Sequence, residues 1–389
     1  MSSSIPYGRQ DINDADIDAV VAVLRSDFLT QGPVVPRFEQ AVASYCGASH
    51  AVAVNSATSA LHIACLALGL GPGDLLWTSP ITFVASANCA LYCGADVDFV
   101  DIDKDSYNLS PAALEQKLLE AERAGRLPKV VVAVHLTGQP CDLAAIHALA
   151  LRYGFAVIED ASHSIGGRYL NEPIGNCRYS DITIFSFHPV KIITSAEGGM
   201  AVTNDPELAH KMRLLRSHGI TREPDRMTQQ PDGPWYYQQI DLGYNYRMTE
   251  LQGALGLSQM DRLDSYVSKR HQLARRYDDA FSDLPVITPW QHPDGYSALH
   301  LYVIRVKSGE IGKSHREIYD AMLKHGINVN LHYIPVHLQP YYQRMGFQPN
   351  TYPEAESYYS EAITLPMYPT MTDTQQEQVI VALREAVTA

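Results

Sequence analysis

The 389-residue chain contains no apolar run approaching the roughly 20 residues needed to cross a bilayer. Its first residues, MSSSIPYGRQDIND, lack both a basic region and an apolar core, so no secretory leader is expected there. Positive charge is in deficit: 43 Asp and Glu outweigh 30 Lys and Arg, a formal net charge of −13. That balance argues against nucleic acid or an anionic membrane as the main partner. It leaves room for an anionic small substrate, because a few local donors suffice to hold a phosphate. Glycine-rich phosphate loops are missing as well: neither GxxxxGK followed by Ser or Thr, nor GxGxxG, occurs. Cysteine is sparse, and although Cys89 and Cys93 lie four apart, no second pair nearby completes a zinc site. Reduced, buried thiols in a cytoplasmic protein are the expected state. What is present, 46% hydrophobic and 19% charged residues, suits a globular chain too long for one ordinary domain.

Strand and helix signals alternate along the first two thirds. Asn13-Asp14-Ala15-Asp16 predicts a helix start with an Asx cap and acids in its first turn. A turn at Leu29-Thr30-Gln31-Gly32-Pro33 precedes a second helix over about 34–46. Residues 51–54 suit a short strand, after which Leu61, Ala64, Cys65 and Leu68 share one helical face. Further strands are expected at 98–101, 130–135, 155–159, 182–187 (resuming at 192–194) and 200–203. Ser110-Pro111 opens an intervening helix. The alternation predicts an α/β fold, a mostly parallel central sheet flanked by helices, with ligands outside the carboxyl ends of its strands. From Thr249 a capping box opens a helical run that reaches Phe281, about 50 Å if unbroken. A strand at 301–306, a helix at 314–325, a strand at 327–331 and a last helix near Thr372 follow. The expected division is a large domain at 1–249 and a smaller α+β domain at 250–389.

Four stretches end or interrupt strands in ways that invite chemistry. Asn55-Ser56-Ala57-Thr58-Ser59 is a strand-to-helix turn. Its free N–H groups and hydroxyls suit an anion, although alone it reads as plain N-capping. Ile158-Glu159-Asp160 sets two acids at a strand end, and alternation points one inward, where a protonated ring nitrogen would partner it. Taken alone, an acid capping the next turn fits equally well. In FSFHPVKIITSAEGG, Lys191 follows Ser186 within an apolar frame that favours the neutral amine needed for bonding to a carbonyl. Alone, it reads as a snorkelling side chain. Gly243-Tyr244-Asn245-Tyr246-Arg247-Met248 is rich in polar and aromatic groups for a connector, yet alone it reads as a linker. A phosphate cradle, an acid and a lysine, each at a strand end of one sheet, together form the set that pyridoxal 5'-phosphate requires.

These residues resemble the sugar aminotransferases of the DegT/DnrJ/EryC1/StrS family, with the PLP-dependent transferase type I architecture. The likeness runs over nearly the whole chain, through LTQGP, NSATSALHIA, PITFVASAN, EDASHSIGG, FSFHPVKIITSAEGGMAVTND, GYNYRMTELQGALGLSQMDRLD and NLHYIPVH. The resemblance implies Lys191 as the lysine that carries the cofactor and moves the proton, Asp160 at the pyridine nitrogen, and His163 near the phenolic oxygen. It implies Phe83 on the ring face and Ala57, Thr58, Ser59 and Ser186 at the phosphate. Asn245 would reach the phosphate of a neighbouring subunit, which implies a homodimer with shared sites. Lysine at 191 weighs against the dehydratase branch, which carries histidine there. Within the family the chain resembles the transaminases of pseudaminic acid biosynthesis. That likeness implies transfer from L-glutamate to C4 of a UDP-linked 4-keto-6-deoxy-N-acetyl-hexosamine, with pyridoxamine 5'-phosphate between the half-reactions. Tyr7, Thr30, His332 and Tyr333 match positions that contact the nucleotide sugar. The same chemistry on another UDP- or dTDP-keto sugar is the open alternative.

Overall fold

A seven-stranded sheet organises the first half of the protein, seen in a computed structural model that describes residues 4–388. Its first five strands in chain order are β1 (His50–Val54), β2 (Leu75–Thr78), β3 (Asp96–Phe99), β4 (Val130–Val134) and β5 (Ala156–Asp160). Across the sheet the order is β1, Gly199–Thr203, Ile182–Ser186, β5, β4, β2, β3. Ile182–Ser186, β5, β4, β2 and β3 are parallel, and Gly199–Thr203 pairs antiparallel with both its neighbours. The predicted mostly parallel sheet is therefore present. In β4, Val130, Val132 and Val134 pack into one apolar cluster, and Val131 and Ala133 into a second on the other face. Burial on both faces is what makes this strand a continuous run of valine and alanine.

The helices needed below are α1 (Asp14–Leu24), α2 (Val34–Cys46), α3 (Ala57–Ala67) and α4 (Ala85–Tyr92). Asn13 and Asp16 form a capping box on α1, as the Asx signal predicts. Ser110 caps a helix whose first residue is Pro111. A third apolar cluster lies towards the C-terminus, where Val286–Ile287, Tyr302–Val306 and Ala362–Leu365 form a separate three-stranded sheet. Helix Asp373–Thr388 adds Val379 and Leu383 to that cluster and packs against helices Leu263–Phe281 and His315–Lys324.

Several expectations need correction. The run from Thr249 is not one helix: it breaks between Glu250–Met260 and Leu263–Phe281. Arg262, at the break, leaves helical geometry, and its guanidinium is tied to buried Asp16 of α1 at 2.6 Å and to the Tyr266 hydroxyl at 2.7 Å. Residues 327–331 make isolated bridges to Ile5 and Thr364 rather than a strand. The Asn330 side chain there accepts the Leu331 N–H, competing with a ladder. Residues 192–194 do not resume a strand; Ser195 N–H and the Thr194 hydroxyl both fold back onto the Phe187 carbonyl. Strand β2 gives no alternation to read, since only Leu75–Thr78 separates the preceding turn from the next segment.

Glu250 joins the two halves of the chain. It is fully buried, and its carboxylate accepts the N–H groups of Val34 at 2.6 Å and Val35 at 3.3 Å, capping α2 from another helix. Pro33 at the N-cap supplies no side-chain cap of its own. Replacing Glu250 with Ala is expected to cost about 1–3 kcal/mol, because it strands buried donors at a positive helix end. Urea unfolding followed by far-UV dichroism checks this; a midpoint equal to wild type would show that water replaces the carboxylate without cost.

Candidate active site

Three carboxyl ends of the sheet open into one cavity of about 420 Å³. From β1 comes the turn Asn55-Ser56 and the start of α3. The Ser56 hydroxyl accepts the Ser59 N–H at 3.2 Å, which leaves Ala57 and Thr58 as first-turn donors without an intrahelical partner. Both line the cavity, together with Ser186 at the end of its own strand. Gly199 makes this turn possible: a β-carbon there would strike the backbone of Ser56 and Ala57. Gly199 thus lets its strand pass close behind the anion cradle.

From β5 comes Asp160. Alternation sends it to the cavity face and Glu159 to the opposite one, yet both acids are buried. Glu159 is absorbed by structure: it accepts from His135 Nε2 at 2.9 Å, from the Thr183 hydroxyl at 3.1 Å and from Ser180. Asp160 accepts the Ser162 N–H at 3.2 Å and the Ser86 hydroxyl at 2.6 Å. On the same cavity wall lies Lys191, in a turn closed by its N–H to the His188 carbonyl. Burial lowers its amine to about 8, with Asp160 pulling the other way. Loss of water around an ammonium costs more than one carboxylate at this separation returns.

The remaining wall is aromatic and imidazole-rich. His163 Nδ1 accepts the Thr137 N–H at 3.1 Å, so its hydrogen sits on Nε2, 3.2 Å from the Tyr333 hydroxyl. His300 packs on His163 with ring centres 4.6 Å apart. His332 Nδ1 pairs with the Thr364 hydroxyl at 2.8 Å, and its ring lies 5.4 Å from that of Tyr7. Burial first, and then Lys191 and neighbouring imidazoles, hold His163 and His300 well below the ordinary imidazole range. Burial, and then Lys191, bring His332 down to about 3. Phe83 is 58% exposed at the mouth, its ring 6.1 Å from Tyr333.

The cavity thus gathers Tyr7, Ala57, Thr58, Phe83, Asp160, His163, Ser186, Lys191, His332 and Tyr333. Three anticipated residues do not line it. Ser59 is buried, and its hydroxyl is committed to Asn55 Oδ1 at 2.7 Å. Thr30 is exposed beside Thr249, and Asn245 is exposed beside Ser217. Sequence reasoning missed Thr82, Ser162, His188, Glu197 and His300 along the wall, and Ser86 behind Asp160. The one available signal was the spacing of Thr82 and Ser86, four apart in PITFVASAN.

Comparison with known proteins gives this arrangement its family. The profile of the DegT/DnrJ/EryC1/StrS aminotransferase family matches residues 10–384. The chain belongs to that family. The aminotransferase is 41% identical to the spore coat polysaccharide biosynthesis protein SpsC of Bacillus subtilis over 387 residues, covering 98% of this chain and 97% of the relative. It superposes on Helicobacter pylori PseC, an aminotransferase involved in the biosynthesis of pseudoaminic acid, with a TM-score of 0.89 and 31% identity, covering 99% of each chain. The PMP form of Spr1654 from Streptococcus pneumoniae gives a TM-score of 0.88 at 29% identity, covering 99% of this chain and 98% of that one. The fold is therefore that of the PLP-dependent aminotransferases, and the enzyme is a sugar aminotransferase.

The donor set suits the family's cofactor. The free N–H groups of Ala57 and Thr58 and the hydroxyls of Thr58 and Ser186 make an anion cradle, facing a buried acid and a neutral-leaning amine.

The three depressed imidazoles carry a pH signature. The unfolded chain protonates them from about pH 6.5 downward, while the folded pocket resists, His332 until about pH 3. Unfolded protein then binds more protons, so stability falls as pH drops through that window. Each such imidazole adds up to about 1.4 kcal/mol per pH unit to the loss. His332→Gln is expected to flatten the dependence of melting temperature on pH between about 6.5 and 4. An unchanged slope would mean that His332 is protonated in the fold.

Proposed function

We propose that the aminotransferase moves the amino group of L-glutamate to C4 of UDP-2-acetamido-2,6-dideoxy-β-L-arabino-hex-4-ulose. The product would be UDP-4-amino-4,6-dideoxy-N-acetyl-β-L-altrosamine, destined for pseudaminic acid. The observation that carries the reading is Lys191, its amine lowered to about 8, in one cavity with buried Asp160 and the first-turn N–H groups of Ala57 and Thr58 at the start of α3. The choice of sugar draws on the likeness to PseC and on the wall of Tyr7, His332 and Tyr333.

When bound, pyridoxal phosphate supplies an aldehyde that captures amines and a ring that accepts an electron pair. Ala57, Thr58 and Ser186 would hold its phosphate, and Asp160 its protonated ring nitrogen. Phe83 would cover one ring face, and the Nε2 hydrogen of His163 would meet the phenolic oxygen. Lys191 Nζ then takes a proton from Cα of glutamate in the first half-reaction and delivers one to C4 of the sugar in the second. A lowered amine suits both tasks, because near neutral pH it is available in either protonation state. The face that Lys191 presents sets the new stereocentre.

Residues 1–249 would form the cofactor-binding unit and 250–389 the smaller unit, with the separate apolar cluster of the C-terminal sheet in support. The enzyme would act as a cytoplasmic homodimer. Asn245 and Thr30, exposed away from their own cavity, would complete the site of the neighbouring subunit.

Purified protein with added pyridoxal phosphate is expected to show a yellow absorbance band that glutamate bleaches and a keto sugar restores. Among UDP- and dTDP-linked keto sugars, the UDP-linked 4-keto substrate above is expected to restore it fastest, with product stereochemistry read by NMR. A colourless protein would sink the cofactor reading. Faster restoration by another sugar would instead favour the alternative, the same chemistry on a different UDP- or dTDP-keto sugar. Lys191→Ala is expected to bind the cofactor and lose turnover.

Shared sites have their own test. Lys191→Ala and Asn245→Ala proteins are each expected to be nearly inactive, whereas unfolding and reassembling them together recovers up to roughly a quarter of wild-type activity in hybrid dimers. No recovery would place Asn245 in the site of its own chain.

A further inference from the structure

The cofactor reading leaves a question about the acid itself, since a carboxylate at a strand end is free to rotate unless something holds it. Asp160 is held on both oxygens. Oδ1 accepts the Ser162 N–H at 3.2 Å, and Oδ2 accepts the Ser86 hydroxyl at 2.6 Å. An ionised carboxylate has no hydrogen to give, so Ser86 must be the donor. Its own oxygen is then free to accept from the Thr82 hydroxyl, 2.8 Å away. One hydroxyl hydrogen per residue thus fixes the direction of the whole chain, from Thr82 to Ser86 to Asp160. Thr82 and Ser86 are almost fully buried, so water does not compete for these positions. The two lie four residues apart where α4 begins, and the Ser86 carbonyl is itself bonded by the Cys89 thiol at 3.3 Å.

We propose that Ser86, with Thr82 behind it, is a positioning residue: the two hydroxyls lock the Asp160 carboxylate in the orientation that meets the cofactor's ring nitrogen. The inference rests on the cofactor reading above. A short hydrogen bond to a charged oxygen in a dry site is among the stronger neutral-donor contacts in proteins. Without it, the carboxylate keeps only the weaker backbone contact on Oδ1 and turns about its last bond.

The test compares pyridoxal phosphate with its deaza analogue, in which a C–H replaces the ring nitrogen, each titrated into apo-protein. Wild type is expected to bind pyridoxal phosphate more tightly than the analogue. Ser86→Ala is expected to weaken pyridoxal phosphate by about tenfold while leaving the analogue unchanged, so the preference for nitrogen collapses. Thr82→Val, which keeps the bulk and the Ser86–Asp160 hydrogen bond but removes the hydroxyl behind Ser86, is expected to lose part of that preference; it carries the test if Ser86→Ala does not fold. A melting temperature close to wild type separates positioning from folding. Equal weakening of both ligands would reduce Ser86 to a packing role, and an unchanged preference would overturn the relay. A wild-type protein that binds neither ligand would instead overturn the cofactor reading itself.

Discussion

Holding a buried acid and a partly buried amine in one cavity is the constraint on which the site depends. Either group alone would be expensive to bury. Asp160 offsets its cost through two hydrogen bonds supplied by neighbouring turns, and Lys191 lowers its cost by tending towards the neutral amine. The sheet makes this possible. Its parallel strands end together, so loops from β1, β5 and Ile182–Ser186 meet at one edge without long excursions. The antiparallel strand Gly199–Thr203 runs back between two of them, and it fits behind the turn before α3 only because residue 199 has no side chain.

The imidazoles around Lys191 follow from the same economy of charge. A protonated histidine would set a buried cation beside the amine, and three rings are instead kept neutral by burial first, with Lys191 acting in the same direction. Neutral rings serve as directional donors: Thr137 fixes the tautomer of His163, which points the remaining hydrogen towards Tyr333 and the cavity. Beyond the cavity the same logic recurs. Buried Asp16 and Glu250 are satisfied by the guanidinium of Arg262 and the start of α2, and each joins segments more than 200 residues apart. Fully buried Arg270 has no carboxylate partner among the described residues and is held by the carbonyls of Leu299, His300 and Met367.

Much of this was legible beforehand. Caps at Asn13, Ser110 and Thr249 were readable because a cap is a local contract between a side chain and donors three residues away. The strands ending at Val54, Asp160 and Ser186 were readable from apolar runs stopping at polar groups. Less was legible where partners are remote. The helix after Thr249 breaks at a residue tied to Asp16, which no local pattern shows. The segment at 327–331 looks like a strand until its own asparagine takes the backbone. Ser59 seemed a phosphate donor, but its hydroxyl turns inward to Asn55.

The sequence by itself determined the family, the alternation of strands and helices, and the candidate acid and lysine, because those depend on residue type and short-range order. Tertiary structure alone decided which hydroxyls face the cavity, that His135, Thr183 and Ser180 take up the neighbouring Glu159, and that Ser86 stands behind Asp160. Those outcomes turn on contacts between atoms remote along the chain, where an ångström separates a hydrogen bond from none. His188 illustrates the divide: unexplained in the sequence, it proves to line the cavity mouth opposite Glu197, 3.9 Å away.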